Sequence, residues 1–246
     1  MDTALVLRIL EPIWSKKPET ASRLRGRIER ILDYARVRGY RSGENPALWR
    51  GHLDKLLPSA LNTKTREHHP ALPYDELPAF MKDLRAQGAN AARALELLIL
   101  TAARTGEVIG CEPGKEIDLK KAIWTVPAGR MKAGKEHRVP LSPQAIAVIE
   151  GQPPGTYLFS GGKEGAPLSN MAMLELLRRI GRKDLTVHGF RSTFRDWAAE
   201  CTSYPGDVCE MALAHAIGDK VEAAYRRGDL FEKRRLLMLD WAKYCE

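Results

Sequence analysis

From Pro18 to Tyr40 the chain reads PETASRLRGRIERILDYARVRGY, with apolar residues at Leu24, Ile28, Ile31, Leu32 and Ala35. That spacing lines one face of an α-helix, and Gly39 is a natural stop. ENPALWRGHLDKLL predicts a second, short helix. The polar stretch that follows, SALNTKTREHHPALP, has no periodicity and carries Pro70 and Pro73. Such a composition marks a linker. Beyond it YDELPAFMKDLRAQ and NAARALELLILTAART predict helices, the second apolar enough to be central and running to Gly106. The period then changes. EIDL, AIWTVPA and HRVPLS are short β-rich runs separated by turn residues that include MKAGKE, which predicts a small antiparallel sheet. SPQAIAVIEGQ, SNMAMLELLRRIGR, TVHGFRSTFRDWAAE, EMALAHAIG and VEAAYRRGDLFEKRRLLMLDWAKYCE return to helical periodicity. The expected class is mainly α with a small antiparallel β-sheet (α+β). The expected division is a helical domain over 1–60, a linker over 61–73 and a larger domain over 74–246.

Composition narrows the function classes. With 246 residues, 44% of them hydrophobic, the chain can fill one large core or two smaller ones. No apolar run approaches the roughly 18 to 20 residues that cross a bilayer, and MDTALVLRILEPIW lacks the basic start of a secretion signal. The expected location is the cytoplasm, without a membrane partner. Cys111, Cys201, Cys209 and Cys245 contain no C-x-x-C pair, so neither a zinc site nor a disulfide framework is indicated. Net charge is +8, and it is unevenly spread: residues 1–70 hold 14 Lys and Arg against 8 Asp and Glu. A basic front suits a nucleic-acid partner, because phosphate neutralisation supplies most non-specific affinity. The candidates are Arg23, Arg27 and Arg30 on the first predicted helix.

The chemistry-bearing residues come in a particular order. ILTAARTGEV places Arg104 and Glu107 three apart, MKAGKE offers Lys132 and Lys135, HGFR offers His188 and Arg191, LAH offers His215, and AAYRR offers Tyr225. Each alone has an ordinary explanation. Together the phrases RTGEVIG, RMKAGKEHRVPLS, HGFRSTFRDWAAE, LAH and AAYRRGDLFEKRR resemble the tyrosine recombinases, specifically the prophage integrase branch, from about Leu72 to the end. One departure stands after Gly110: such integrases usually carry a tryptophan shortly before E-I-D-L, where this chain has CEPGKEIDL.

The resemblance implies a tyrosine recombinase catalytic fold preceded by a partial helical core-binding domain. A whole integrase of the branch also carries an N-terminal arm-binding domain. It implies Arg104, Lys132, His188, Arg191, His215 and Tyr225 as the catalytic set, with Glu107 supporting, Tyr225 as nucleophile, Lys132 as general acid and His215 on the scissile phosphate. Lys135, which opens the next strand, is expected to meet backbone phosphate. The chemistry suits the residues. Charge gathers on the non-bridging oxygens of a phosphodiester in its transition state, so catalysis is mainly positioning plus electrostatic stabilisation, and two arginines are a natural clamp. No cofactor and no metal are expected. The implied partner is double-stranded DNA bearing an attachment core site, with a tetramer on paired DNA when active, a monomer without DNA and a bacterial, nucleoid-associated location. Two further readings share these residues: a truncated integrase remnant that binds DNA without completing recombination, and a strand transferase like the type IB topoisomerases.

Overall fold

The computed structural model describes residues 1–58, 70–215 and 228–246. The chain forms two compact units, Met1–His68 and His69–Glu246.

The first unit is built on α1 (Thr3–Trp14) and α2 (Pro18–Val37). Asp2 caps α1 by accepting from the Leu5 N–H at 2.9 Å. Val6, Leu10 and Trp14, four apart, form its buried stripe, and the Trp14 ring stacks on Trp49 at 5.5 Å. On α2 the predicted stripe holds in part. Leu24, Ile28 and Leu32 pack on this core and Ala21 extends it, but Ile31 is 66% exposed, because it sits a step around the helix from Ile28 and Leu32. Gly39 ends the helix as expected, at φ +74°, where the Tyr40 N–H turns back to the Ala35 carbonyl. The second helix expected near Trp49 is only a single 3₁₀ turn, Leu53–Lys55. Asn45 prevents more. Its amide donates to Glu29 O and Asp33 Oδ1, its carbonyl accepts from the Ala47 N–H, and Pro46 and Gly51, at φ +77°, break the run on either side.

In the second unit a 3₁₀ turn at Tyr74–Glu76 leads into α3 (Leu77–Arg85) and then α4 (Asn90–Thr101). From Ala94 to Thr101 α4 is buried on every face, which makes it the central helix. Its one buried charge, Glu96, is paired with Arg85 at 2.7 Å and Arg93 at 2.6 Å. The helix does not run to Gly106. It stops at Ala102, held at φ +50°, and a new short helix, α5 (Thr105–Ile109), starts with Arg104 at its N-cap. After α6 (Pro113–Glu116) come β1 (Ile117–Asp118), β2 (Ile123–Val126) and β3 (His137–Pro140), an antiparallel sheet in the order β1-β2-β3. Val126 pairs with His137 and Ile123 with Pro140. The fold class read from the sequence is therefore the one observed.

The rest is helical: α7 (Pro143–Glu150), α8 (Ala172–Arg179), α9 (Gly189–Cys201), α10 (Gly206–Ala212) and α11 (Phe231–Tyr244). Phe194 and Trp197 of α9 pack on Trp241 of α11 with centroids 5.2 and 4.9 Å apart, and the Trp241 indole donates to the Ile99 carbonyl of α4. Truncating buried aromatics of this kind costs about 3–5 kcal/mol. The last predicted helix, drawn as one run from Val221, is interrupted: residues 228–230 are not helical and α11 starts at Phe231, while the part of the run over 221–227 lies outside the described residues. Asp229 accounts for the break just before Phe231. Its carboxylate holds Arg138 of β3 at 2.8 Å and Arg234 of α11 at 2.8 Å, and Leu230 takes φ +51° to let the chain turn into the helix. Arg234 is 1% exposed, satisfied by Asp229 and by the Arg138 carbonyl. Among the described residues no helix is long and apolar enough to cross a membrane.

Candidate active site and nucleic-acid face

Two helix ends create the centre of the site. An α-helix leaves its last carbonyls without partners inside the helix. At α4 the left-handed Ala102 presents its carbonyl sideways, and at α10 the left-handed Ala214, φ +50°, does the same for Leu213 and itself. The His215 N–H returns to the Glu210 carbonyl at 3.0 Å, the six-to-one bond of a helix-terminating turn. Both arginines dock on these carbonyls. Arg191 Nη1 donates to Ala102 O, and Nη2 donates to Leu213 O at 2.5 Å. Arg104 Nη2 donates to Leu213 O at 3.3 Å and to Ala214 O at 3.2 Å. A cation at a helix C-terminus also gains from the helix dipole.

Arg104 is further fixed from its own helix. Glu107 is buried; it accepts from the Arg104 guanidinium at 2.8 Å and from the Arg104 backbone N–H at 2.8 Å. Arg191 is 4% exposed, and among the described residues its Nε has no hydrogen-bond partner. Burial, and then the Arg104 charge, pull its guanidinium down to about 10, so it stays charged at neutral pH. His215 completes the cluster, with Nε2 3.1 Å from Arg191 Nη2.

The start of α9 shows how HGFR is built. Thr186 accepts from the Gly189 N–H at 3.0 Å, so the threonine caps the helix while His188, at the N-cap position, is exposed. Gly189 has no freedom to be anything else: a Cβ there would lie 2.2 Å from the Pro70 carbonyl oxygen. Pro70 O also accepts from Thr186, and Leu72 O accepts from Thr193 at 2.6 Å, so the chain at 70–72 packs directly on this helix. Phe190, Phe194 and Trp197 are buried as their spacing required.

Arg104, Glu107, Arg191 and His215 are thus gathered into one hydrogen-bonded cluster. Lys132 and Lys135 stand exposed on the turn between β2 and β3, which Gly134 makes tight at φ +65°. Tyr225 lies outside the described residues. In the first unit Arg23, Arg27 and Arg30 are exposed on α2, Arg23 pairing with Glu19 at 2.5 Å and Arg30 Nε reaching the Gly26 carbonyl at 3.1 Å.

Sequence reasoning missed several supporting residues. Arg130 donates to the carbonyls of Gly106 and Glu107 and pairs with Glu116, whose other oxygen accepts from the buried Trp124 indole. Arg130 thus braces the backbone of α5, which carries Arg104 at its start, and Cys111, in the stretch that departs from the branch, is buried. His137 of β3 meets the Ala212 backbone, and burial, then the Arg234 and Arg104 charges, push its imidazole down to about 4. Glu210 holds His215 and Arg195. Position was the available signal: Arg130 precedes Met131-Lys132, Arg195 lies one helical turn after Arg191, and Glu210 lies five residues before His215.

Residues 70–229 match the Phage integrase family and residues 1–52 match the Phage integrase central domain. The chain belongs to the phage integrase family, the tyrosine recombinases of the prophage branch. It is 36% identical over 243 residues to Prophage integrase IntZ of Escherichia coli K12, which covers 96% of this chain and 58% of the relative, so the chain spans little more than half of that protein's length. In fold it is similar to a lambda integrase (75–356) dimer bound to a COC' core site, with TM-score 0.63 and 16% identity over 93% of this chain and 82% of that one. It is also similar to a lambda integrase tetramer bound to a Holliday junction, with TM-score 0.64 and 15% identity over 89% and 66%.

Proposed function

We propose that the chain is a site-specific DNA recombinase that cleaves and rejoins strands through a covalent 3′-phosphotyrosyl intermediate on Tyr225. The observation that carries this reading is the convergence of Arg104 and Arg191 on the carbonyl ends of α4 and α10, with His215 against Arg191. Arg191 is held by neutral carbonyl dipoles and Arg104 by carbonyls and by Glu107, so the pair keeps a net positive charge for the non-bridging oxygens of a phosphodiester. The Nε of Arg191, without a hydrogen-bond partner among the described residues, is a further donor for an incoming oxygen. His188, exposed beside Arg191, handles a proton at Tyr225. His215 binds the phosphate, and Lys132, on its exposed turn, protonates the leaving 5′ oxygen. The phosphotyrosyl bond keeps the energy of the broken linkage, so rejoining needs no nucleotide. The partner is attachment-core DNA, the active assembly is a tetramer on paired duplexes, residues 74–246 carry the chemistry and residues 1–60 the grip on DNA.

The direct test is incubation with a nicked suicide duplex bearing the core site, with and without chelator, and resolution of protein–DNA adducts under denaturing conditions. An adduct of equal yield in both is expected. Relaxation of supercoils without any strand exchange between duplexes would move the reading to a type IB topoisomerase, and DNA binding with no adduct would leave a binding remnant.

The two lysines separate by leaving-group chemistry. Lys132→Ala should slow cleavage by about 10²- to 10⁴-fold, the usual contribution of a general acid, and Lys135→Ala by far less. A substrate with a 5′-bridging sulfur, whose thiolate leaves without a proton, should restore Lys132→Ala. Equal defects with no restoration would remove Lys132 from the acid role.

The grip of the first unit is electrostatic. Each phosphate contact steepens the dependence of log K on log salt by about 0.9. Replacing Arg23, Arg27 and Arg30 together by alanine should therefore make that slope shallower by about 2 to 3 units, with the adduct rate at saturating DNA retained. An unchanged slope in binding titrations would make this a solvated face only.

A further inference from the structure

The ring of His215 is held on two sides. Nδ1 lies 2.7 Å from Glu210 Oε2, and Nε2 lies 3.1 Å from Arg191 Nη2. A carboxylate can only accept, so Nδ1 carries the hydrogen and Nε2 is the lone pair to which Arg191 donates. Glu210 is itself fixed. Its other oxygen accepts from Arg195 Nε at 2.7 Å, and its backbone carbonyl accepts from the His215 N–H at 3.0 Å. Arg195 comes from α9, one turn past Arg191, so the helix that supplies the clamp also braces the carboxylate behind the histidine. Burial opposes the charge on Glu210, but the hydrogen bonds from Arg195 and His215 outweigh it and hold the carboxyl below its usual range.

We propose that Glu210, braced by Arg195, is a positioning residue that fixes the ring and tautomer of His215 and faces the imidazolium formed when Nε2 turns from accepting to donating. The proposal rests on the reading of His215 as a phosphate ligand. In the Nδ1–H tautomer Nε2 has no hydrogen to give, so donating to a phosphate oxygen requires a second proton, taken from solvent as the phosphate docks and returned when it leaves. The charged groups on and next to the ring are Glu210 and Arg191, which touch it, Arg195, which pairs with Glu210, and Arg104, which pairs with Glu107 and shares the Leu213 carbonyl with Arg191. Only Glu210 sets a negative charge in hydrogen-bond contact with the ring among the described residues. The arrangement is that of a ligand histidine whose far nitrogen is oriented by a carboxylate.

The test uses the full chain in two measurements. In single-turnover cleavage of a suicide core duplex at saturating DNA, Glu210→Ala should slow adduct formation by about 10- to 100-fold. The double variant with His215→Ala should be no slower than His215→Ala alone, because Glu210 acts through His215. Losses that multiply, or a Glu210→Ala rate equal to wild type, overturn the proposal. In ¹⁵N-histidine spectra of the DNA-free protein, the His215 ring should be the Nδ1–H tautomer in wild type. It should remain so in Glu210→Gln, whose amide oxygen still accepts, and lose that preference in Glu210→Ala. A wild-type Nε2–H ring overturns the positioning claim whatever the activity. If wild type forms no adduct, the recombinase reading fails and the spectra still decide the positioning claim. If His215→Ala cleaves like wild type, the phosphate role of His215 fails and the proposal falls with it.

Discussion

Replacing Arg191 by lysine should lower the rate of adduct formation by about 10³- to 10⁵-fold, the range found when a transition-state arginine is removed in phosphoryl transfer. The charge survives the change, so the loss measures geometry. Arg191 spans two carbonyls on different elements, Ala102 after α4 and Leu213 after α10, while touching His215. A planar guanidinium can do this at once; an ammonium is a single point and must give up at least one carbonyl. An unsatisfied buried carbonyl costs about 1–3 kcal/mol, so thermal unfolding should show a moderate loss of stability as well. DNA affinity should change little, because most of it comes from backbone phosphates elsewhere. Single-turnover cleavage with saturating duplex separates the effects, and a lysine variant within tenfold of wild type would sink the clamp.

Tyr225→Phe should form no covalent adduct at all while keeping its fold and its affinity for core DNA. A phenol is only about 0.1% ionised at pH 7, a deficit of roughly 4 kcal/mol that neighbouring positive charge or a base must offset. Other tyrosines of the second unit are placed against this. The Tyr74 hydroxyl donates to Glu200 at 2.9 Å, and that carboxylate pushes it up to about 12. Burial and Asp240, at 2.6 Å, push Tyr204 up to about 12. Tyr244 donates to the Tyr74 carbonyl, and burial raises it too. Each of these hydroxyls has an acceptor or a burial penalty where a nucleophile needs cations. Mass spectrometry of the wild-type adduct should place the nucleotide on Tyr225; a modified Tyr204 or Tyr244 would overturn the assignment.

What the sequence made legible follows from the kinds of force involved. Apolar periodicity announced α4 and the buried face of α9, because burying such faces decides where helices lie. Chain breaks were legible where glycine marked them, as at Gly39, and illegible at Ala102 and Ala214, where alanine adopts the backbone that glycine normally supplies. The helix supposed to continue to Gly106 went wrong for that reason, and the run supposed to continue unbroken into Phe231 is interrupted at 228–230, where Asp229 is tied to Arg138 across 91 residues of sequence. Arg104, Arg191 and His215 could be picked out by residue type and order. Their shared anchors could not, since backbone carbonyls have no letter in the sequence. Glu210 and Arg195 were missed because an ion pair between neighbouring helices looks, in one dimension, like two ordinary surface charges.

The left-handed alanines at the site, Ala102 and Ala214, carry a cost of their own. An L-residue in that region is strained by roughly 1–2 kcal/mol, which glycine would relieve. Glycine would also free the peptide planes at Ala102 and Ala214 to swing, and those planes aim the carbonyls on which both guanidiniums rest. The protein accepts backbone strain at Ala102 and Ala214 and gains stiffness in the carbonyls that seat Arg104 and Arg191. A variant selected only for heat tolerance would be drawn toward glycine at these positions and would loosen the seats of both guanidiniums as it gained stability.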